Sequence, residues 1–253
     1  MSAPLPVMIC GYRGRMGQTL LALAEAEGAR VAARTDLGDD LAAGLGACAV
    51  AIDFSARAAT PELAEACAAR GVALVIGTTG HSEAERARIL ACTDRIPVVW
   101  SGNYSVGVNL LFHLTGTAAR VLGDRYHPEI TEVHHRHKKD APSGTALNLA
   151  EAIGEAPGFA GAPLRHGRSG ETGARPDREI GLHALRGGEV VGEHTVFFFG
   201  EHDRIELTHR AADRRIFAAG AYRAARWVVG QRPGLYTMRE VLGLGGANPA
   251  EPA

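Results

Sequence analysis

Residues 5–28 read LPVMICGYRGRMGQTLLALAEAEG. The first six form an apolar run of β character, residues 11–17 form a turn punctuated by Gly11, Gly14 and Gly17, and the remainder has the apolar periodicity of a helix that Gly28 would close as a C-cap. Strand, glycine turn, helix is the unit from which parallel α/β sheets are built. In that context the G-x-x-G-x-x-G spacing puts small residues where backbone N–H groups and the helix dipole can hold a pyrophosphate, and where a Cβ would keep the phosphate away. Gly11, Tyr12, Arg13, Gly14, Arg15 and Met16 are therefore candidates for a dinucleotide site, with Arg15 able to add a charge one turn into the helix. The common dinucleotide fingerprint is G-x-G-x-x-G, and here Arg13 stands in place of its middle glycine. A tight strand-to-helix turn without a ligand would use the same glycines, so the motif alone leaves both readings open.

The same rhythm continues downstream. Strand-like runs at 30–34, 49–55, 72–80 and 96–103 alternate with helical patterns at 61–70 and 82–92, which predicts a Rossmann-like, doubly wound parallel sheet. After Asn103 the pattern changes to a long helix at 106–122, a strand at 127–134, a polar loop, a helix at 145–153 and a Gly-, Arg- and Pro-rich loop at 157–178. Residues 179–211 read as three strands joined at Gly187-Gly188 and at 200–203, an expected antiparallel meander. This half is expected to be a second, α+β domain with a mixed or antiparallel sheet. The amphipathic segment RRIFAAGAYRAARWVVG at 214–230 should return to the first domain, and residues 245–253 read as a solvated tail. The expected division is residues 1–105 with 215–253 against residues 106–214.

Composition narrows the function classes. With 27 Lys+Arg against 28 Asp+Glu the chain has no general field to attract nucleic acid or an anionic membrane, so neither partner is expected. Cys10, Cys48, Cys67 and Cys92 never fall at C-x-x-C spacing, which argues against a zinc ribbon or a disulfide framework and suits a reducing compartment. There is no basic n-region at the start and no apolar stretch of roughly 18 residues, so a cytoplasmic location is expected. The only two lysines are Lys138 and Lys139, against 25 arginines. Where an interchangeable positive charge suffices this chain uses arginine, so a surviving lysine points to a site needing a compact ammonium that can give up its proton.

Three clusters carry chemistry. Gly77-Thr78-Thr79-Gly80 and Gly102-Asn103-Tyr104-Ser105 each end a buried strand, where open α/β sheets bind ligands. Beyond the second strand, Asp36 suits an adenine-ribose hydroxyl, whereas Arg34 suits a 2'-phosphate, so NADH or NADPH is the expected cofactor. The third cluster, EVHHRHKKDAPSGT at 132–145, is the densest. Its adjacent cations oppose a bound dication, so no metal is expected. The functional reading is an anion pocket, with His and Lys supplying protons while Ser143, Gly144 and Thr145 present a helix N-terminus to a carboxylate.

Taken together, GYRGRMG, IDFS, GTTG, GNYSVGVN, EVHHRHKKDAPSGTAL, IGLHALRGGEVVGEHTV and ELTHRAADRRIFAAGA resemble, in order, the dihydrodipicolinate reductase family of bacterial lysine biosynthesis. The resemblance implies NAD(P)H-dependent reduction of 4-hydroxy-tetrahydrodipicolinate and a homotetramer assembled through the second domain. It implies that His134 is the acid/base and Lys138 the proton donor, that Lys139 is dispensable, and that His135, Gly144, Thr145 and Ser143, with Thr79, hold the dicarboxylate. The nucleotide site it implies spans Gly11 to Met16, Gly77 to Thr79 and Gly102 to Ser105, while the RTDLG segment after the second strand departs from the family's acidic pattern. The other classes to be weighed are a dinucleotide sensor without catalysis and another reductase on the same fold. A semialdehyde dehydrogenase would need a nucleophilic cysteine, and all four cysteines precede residue 93.

Overall fold

The computed structural model describes residues 3–41 and 43–244. In chain order the elements are β1 (Leu5–Cys10), α1 (Arg15–Leu23), β2 (Ala29–Thr35), β3 (Val50–Asp53), α2 (Thr60–Arg70), β4 (Ala73–Ile76), α3 (Glu83–Leu90), β5 (Pro97–Trp100), α4 (Val106–Leu122), β6 (His127–His134), α5 (Gly144–Gly154), β7 (Leu164–His166), β8 (Ile180–Arg186), β9 (Gly192–Phe199), β10 (Arg204–Ala211), α6 (Arg215–Val228), β11 (Gly234–Tyr236) and α7 (Met238–Leu242). They divide into two compact units. One runs through Val106 and resumes at Arg214, and the other is Gly107–Asp213, so each cut lies one residue from its expected place. The tail expected at 245–253 lies outside the described residues.

The first unit is a six-stranded sheet in the order β11-β5-β4-β3-β1-β2 with every pairing parallel. Its central strands are buried on both sides, which is why they read as unbroken apolar runs rather than alternating ones. Val7, Ile9, Ile52, Val75 and Val99 face the side covered by α1 and α6, where Tyr222 donates to the Leu20 carbonyl at 2.7 Å. Met8, Cys10, Leu74, Ile76 and Trp100 face the other side, with Leu63 and Cys67 of α2 and Ile89 of α3. Helix α1 is shorter than expected. The regular helix ends at Leu23, and the turn over residues 24–28 closes on Gly28 in the left-handed region, with Gly28 N–H on the Glu25 carbonyl and Ala29 N–H on the Ala24 carbonyl, so Gly28 ends the helical segment as expected and β2 starts at Ala29.

The second unit packs α4 and α5 on a five-stranded sheet ordered β10-β9-β6-β8-β7. The expected meander is corrected here. Strands β9 and β10 form an antiparallel hairpin, but β6 is inserted between β8 and β9 and runs parallel to β8, so Gly187-Gly188 is a crossing connection and not a hairpin turn. The sheet is therefore mixed. Short strands β7 and β11 and helix α7 are not separable from loop by local pattern, since three to five residues carry almost no periodicity. Among the described residues no helix is long and apolar enough to cross a membrane.

Candidate active site

At the carboxyl ends of β1, β3 and β4 the first unit carries two adjoining cavities of about 500 and 390 Å³ whose walls share Gly14, Phe54 and Ser55. The glycine turn shapes them by close approach. Gly11 has φ +78°, and a Cβ there would lie 2.5 Å from the Phe54 carbonyl oxygen, while a Cβ on Gly17 would lie 2.2 Å from the Gly11 carbonyl. Only glycine lets the turn, β3 and α1 meet this tightly. Gly11, Gly14 and Asp36 line the larger cavity, and Gly14, Arg15, Met16, Gly77, Thr78 and Thr79 line the smaller. Thr35 Oγ1, in the wall of the larger cavity, is buried without a hydrogen-bond partner. An orphaned hydroxyl beside a turn that a Cβ would fill fits a bound dinucleotide.

The remaining cofactor candidates separate. Asp36 accepts the N–H of Arg13 at 2.7 Å and of Leu37 at 2.8 Å, which holds its pKa below the usual carboxylate range and ties it to the turn. Arg34 and Arg13 each lie over the Tyr12 ring, 5.0 and 5.1 Å from its centroid. Gly102, Asn103 and Ser105 sit at the end of β5 outside both cavity walls, with Asn103 Oδ1 accepting Ser105 N–H at 2.9 Å. Tyr104 is a correction. Its ring is buried in the core and its hydroxyl donates to the carbonyls of Ile76 and Val99, so its side chain is a structural pin between β4 and β5 and offers a cofactor nothing.

In the second unit, strand period places Glu132 and His134 on the same buried face of β6. The register puts Glu132 opposite His194 of β9, and His134 opposite Arg186 of β8. Glu132, fully buried, accepts His134 Nδ1 on one oxygen, and Arg186 at 2.8 Å and the Ser143 N–H at 3.1 Å on the other. Burial opposes its ionisation, but these donors prevail and hold its pKa at about 2. Ser143 caps α5 by accepting Ala146 N–H, and its hydroxyl meets His194 Nε2 at 3.1 Å. His194 stands edge-on to the His134 ring, and burial together with that neighbour lowers its pKa to about 4. The polar loop is pinned by His135 N–H on the Val190 carbonyl and by the Arg186 guanidinium on the Asp140 carbonyl. Lys138 Nζ donates to Asp140 at 2.9 Å, while Lys139 is exposed.

Known proteins match both units. The family profile described as "Dihydrodipicolinate reductase, N-terminus" matches residues 5–104, and "Dihydrodipicolinate reductase, C-terminus" matches residues 107–242. The chain belongs to the dihydrodipicolinate reductase family. A 4-hydroxy-tetrahydrodipicolinate reductase of Akkermansia muciniphila is 49% identical over 95% of this chain and 98% of its own length. The corresponding enzyme of Anaeromyxobacter dehalogenans strain 2CP-1 is 55% identical over 82% of this chain and 77% of its own. Among solved structures, the dipicolinate-bound dihydrodipicolinate reductase of Paenisporosarcina sp. TG-14 has the same fold, with a TM-score of 0.73 at 24% identity, covering 92% of this chain and 97% of that one. The reductase is accordingly an NAD(P)H-dependent oxidoreductase of lysine biosynthesis.

The structure brings His134 together with partners that local reading of the reductase overlooks. His194 and Arg186 lie more than fifty residues along the chain, and Phe54 and Ser55 are visible only as the end of β3 beside the glycine turn. Glu132, His134 and His194 offer three ligand-type atoms within 4.8 Å of one another. They form a hydrogen-bonded chain rather than an open coordination site, because His134 and Arg186 occupy Glu132, and Ser143 occupies His194 Nε2. The Arg186 guanidinium on the same carboxylate further opposes a dication.

Proposed function

We propose that the cluster on β6, β8, β9 and the start of α5 is the proton-transfer and dicarboxylate site of this reductase, and that the cleft at Gly11–Met16 holds its cofactor. The overall conversion takes 4-hydroxy-tetrahydrodipicolinate, NAD(P)H and a proton to tetrahydrodipicolinate, NAD(P)⁺ and water. The nicotinamide, when bound, supplies the hydride. The chain supplies the rest. His135 and the backbone N–H groups of Gly144 and Thr145, at the positive end of the eleven-residue α5, neutralise the substrate carboxylates. His134 exchanges the proton and Lys138 donates one, its ammonium held in place by Asp140.

The observation that supports this reading most is the satisfied chain from Arg186 through Glu132 to His134, set beside the Ser143 turn. Buried histidines and a carboxylate joined in one hydrogen-bonded cluster are the kind of arrangement that functional sites concentrate. A thiol-dependent dehydrogenase finds no support, since burial raises the pKa of Cys67 to about 12 and pushes Cys10 higher than its usual value. The protein also acts as a homotetramer in the cytoplasm on this reading. The deciding assay follows oxidation of NADH and of NADPH on enzymatically generated 4-hydroxy-tetrahydrodipicolinate, with sedimentation in parallel. Turnover with either cofactor is expected. Tight cofactor binding without turnover would favour a sensor, and a stable monomer at micromolar concentration would remove the tetramer.

A further inference from the structure

We propose that Glu132 is the positioning residue of the centre: it accepts the hydrogen bond of the His134 Nδ1–H, fixes the ring's tautomer, and leaves Nε2 as the working nitrogen in a space that Gly192 keeps open. The inference rests on the reading of His134 as the acid/base. It concerns a residue to which the family resemblance gives no role.

The argument is one of donors and acceptors. Arg186 and the Ser143 backbone N–H can only donate, and both donate to the same oxygen of Glu132. Glu132 is thereby held as a carboxylate, able only to accept, so the short contact from His134 to its second oxygen requires the proton on Nδ1. In neutral imidazole the lone pair then lies on Nε2. That nitrogen lies beside Gly192, where a Cβ would stand 3.0 Å away, tighter than nine in ten real Cβ contacts, so a ring already held by Glu132 would have to give by a few tenths of an ångström. The backbone at Gly192 is not in the left-handed region, so conformation gives no reason for glycine there. Room beside Nε2 does. His194, the other ring in contact, has its own Nε2 on Ser143 and does not compete for the carboxylate.

The test uses the full chain labelled with ¹⁵N-histidine, read without substrate, beside steady-state kinetics. His134→Gln assigns the resonance. In the wild type the neutral ring is expected to carry its proton on Nδ1. In Glu132→Gln the amide can donate to the ring, so that preference is lost and kcat falls roughly 10²- to 10⁴-fold, with KM for the dicarboxylate changed by less than about threefold. Glu132→Asp should restore the Nδ1 proton and part of kcat. Gly192→Ala should keep the Nδ1 proton yet lose turnover, because the methyl group covers Nε2. Retention of the Nδ1 proton in Glu132→Gln with near-normal kcat would overturn the proposal, as would an unimpaired Gly192→Ala enzyme. If Glu132→Gln does not fold, the aspartate and Gly192 variants carry the same test. A fully active His134→Gln enzyme would instead remove the underlying role of His134, an outcome separable from the tautomer measurement because the latter needs no turnover.

Discussion

Lysine 138 and lysine 139 are adjacent in sequence and different in surroundings. Lys138 is mostly covered and bound to Asp140, while Lys139 is exposed. Lys138→Met is expected to lower kcat roughly 100- to 1,000-fold, the usual cost of losing a charge-assisted donor at a developing negative centre, and Lys139→Ala to change it by less than about twofold. Equal losses in a steady-state comparison would refute the distinction. The neighbouring histidines should also separate. His134→Gln removes an interaction made in the transition state and should lower kcat with little change in KM, whereas His135→Gln removes a ground-state carboxylate contact and should raise KM for the dicarboxylate. A pure KM effect in His134→Gln would mean the roles are reversed. These residues were legible because the chain concentrates them within 134–145 and because lysine is rare in it. Tyr104 was misread for an equally physical reason: a strand end looks the same in sequence whether its side chain points outward or into the core.

Strand β6 carries two carboxylates held by cations, Glu132 and Glu129. At Glu129 burial again opposes ionisation, but Arg168, His183 and Arg175 hold its pKa at about 2. A carboxylate with a depressed folded-state pKa stabilises above its unfolded value near 4.3 and loses that contribution as pH falls toward the folded value. Each should contribute on the order of 2 kcal/mol at neutral pH. The second unit should therefore weaken between about pH 5 and pH 2. Glu129→Gln should be less stable than wild type at pH 7 and should lose less on acidification. Both tryptophans, Trp100 and Trp227, belong to the first unit, so hydrogen exchange of residues 179–211 is the suitable measurement. An unchanged acid dependence in Glu129→Gln would sink the assignment. The parallel sheet was readable from its apolar runs and glycine turn, whereas the placement of β6 between β8 and β9 was not. Local pattern reports that a strand exists; its neighbours are chosen by long-range burial, and the same long-range register is what brings His194 and Arg186 to His134.

At the scale of the whole molecule, cofactor preference depends on how the carboxyl end of β2 and the glycine turn beside it are committed. Asp36 is engaged with the Arg13 and Leu37 N–H groups, and Arg34 rests on Tyr12, so neither is dedicated to a ribose hydroxyl or a 2'-phosphate. The two cofactors are expected to support catalysis within about tenfold of one another in kcat/KM, a difference below about 1.4 kcal/mol. A preference above about a hundredfold in either direction would show that one of these groups turns toward the nucleotide. The first unit is built from two distant stretches of chain. Helix α6, from residues 215–228, completes the cover that α1 begins on one face of a sheet whose first five strands are complete by residue 100, and β11 closes its edge later still. On the ribosome, the part of that face that α6 covers, on β3, β4 and β5 with Ile52, Val75 and Val99, stays open to water while more than a hundred further residues are made. The second unit, contiguous from 107 to 213, can fold in the meantime. The nascent enzyme thus has a window of several seconds, at about 5 to 20 residues per second, in which a chaperone has an apolar sheet to hold.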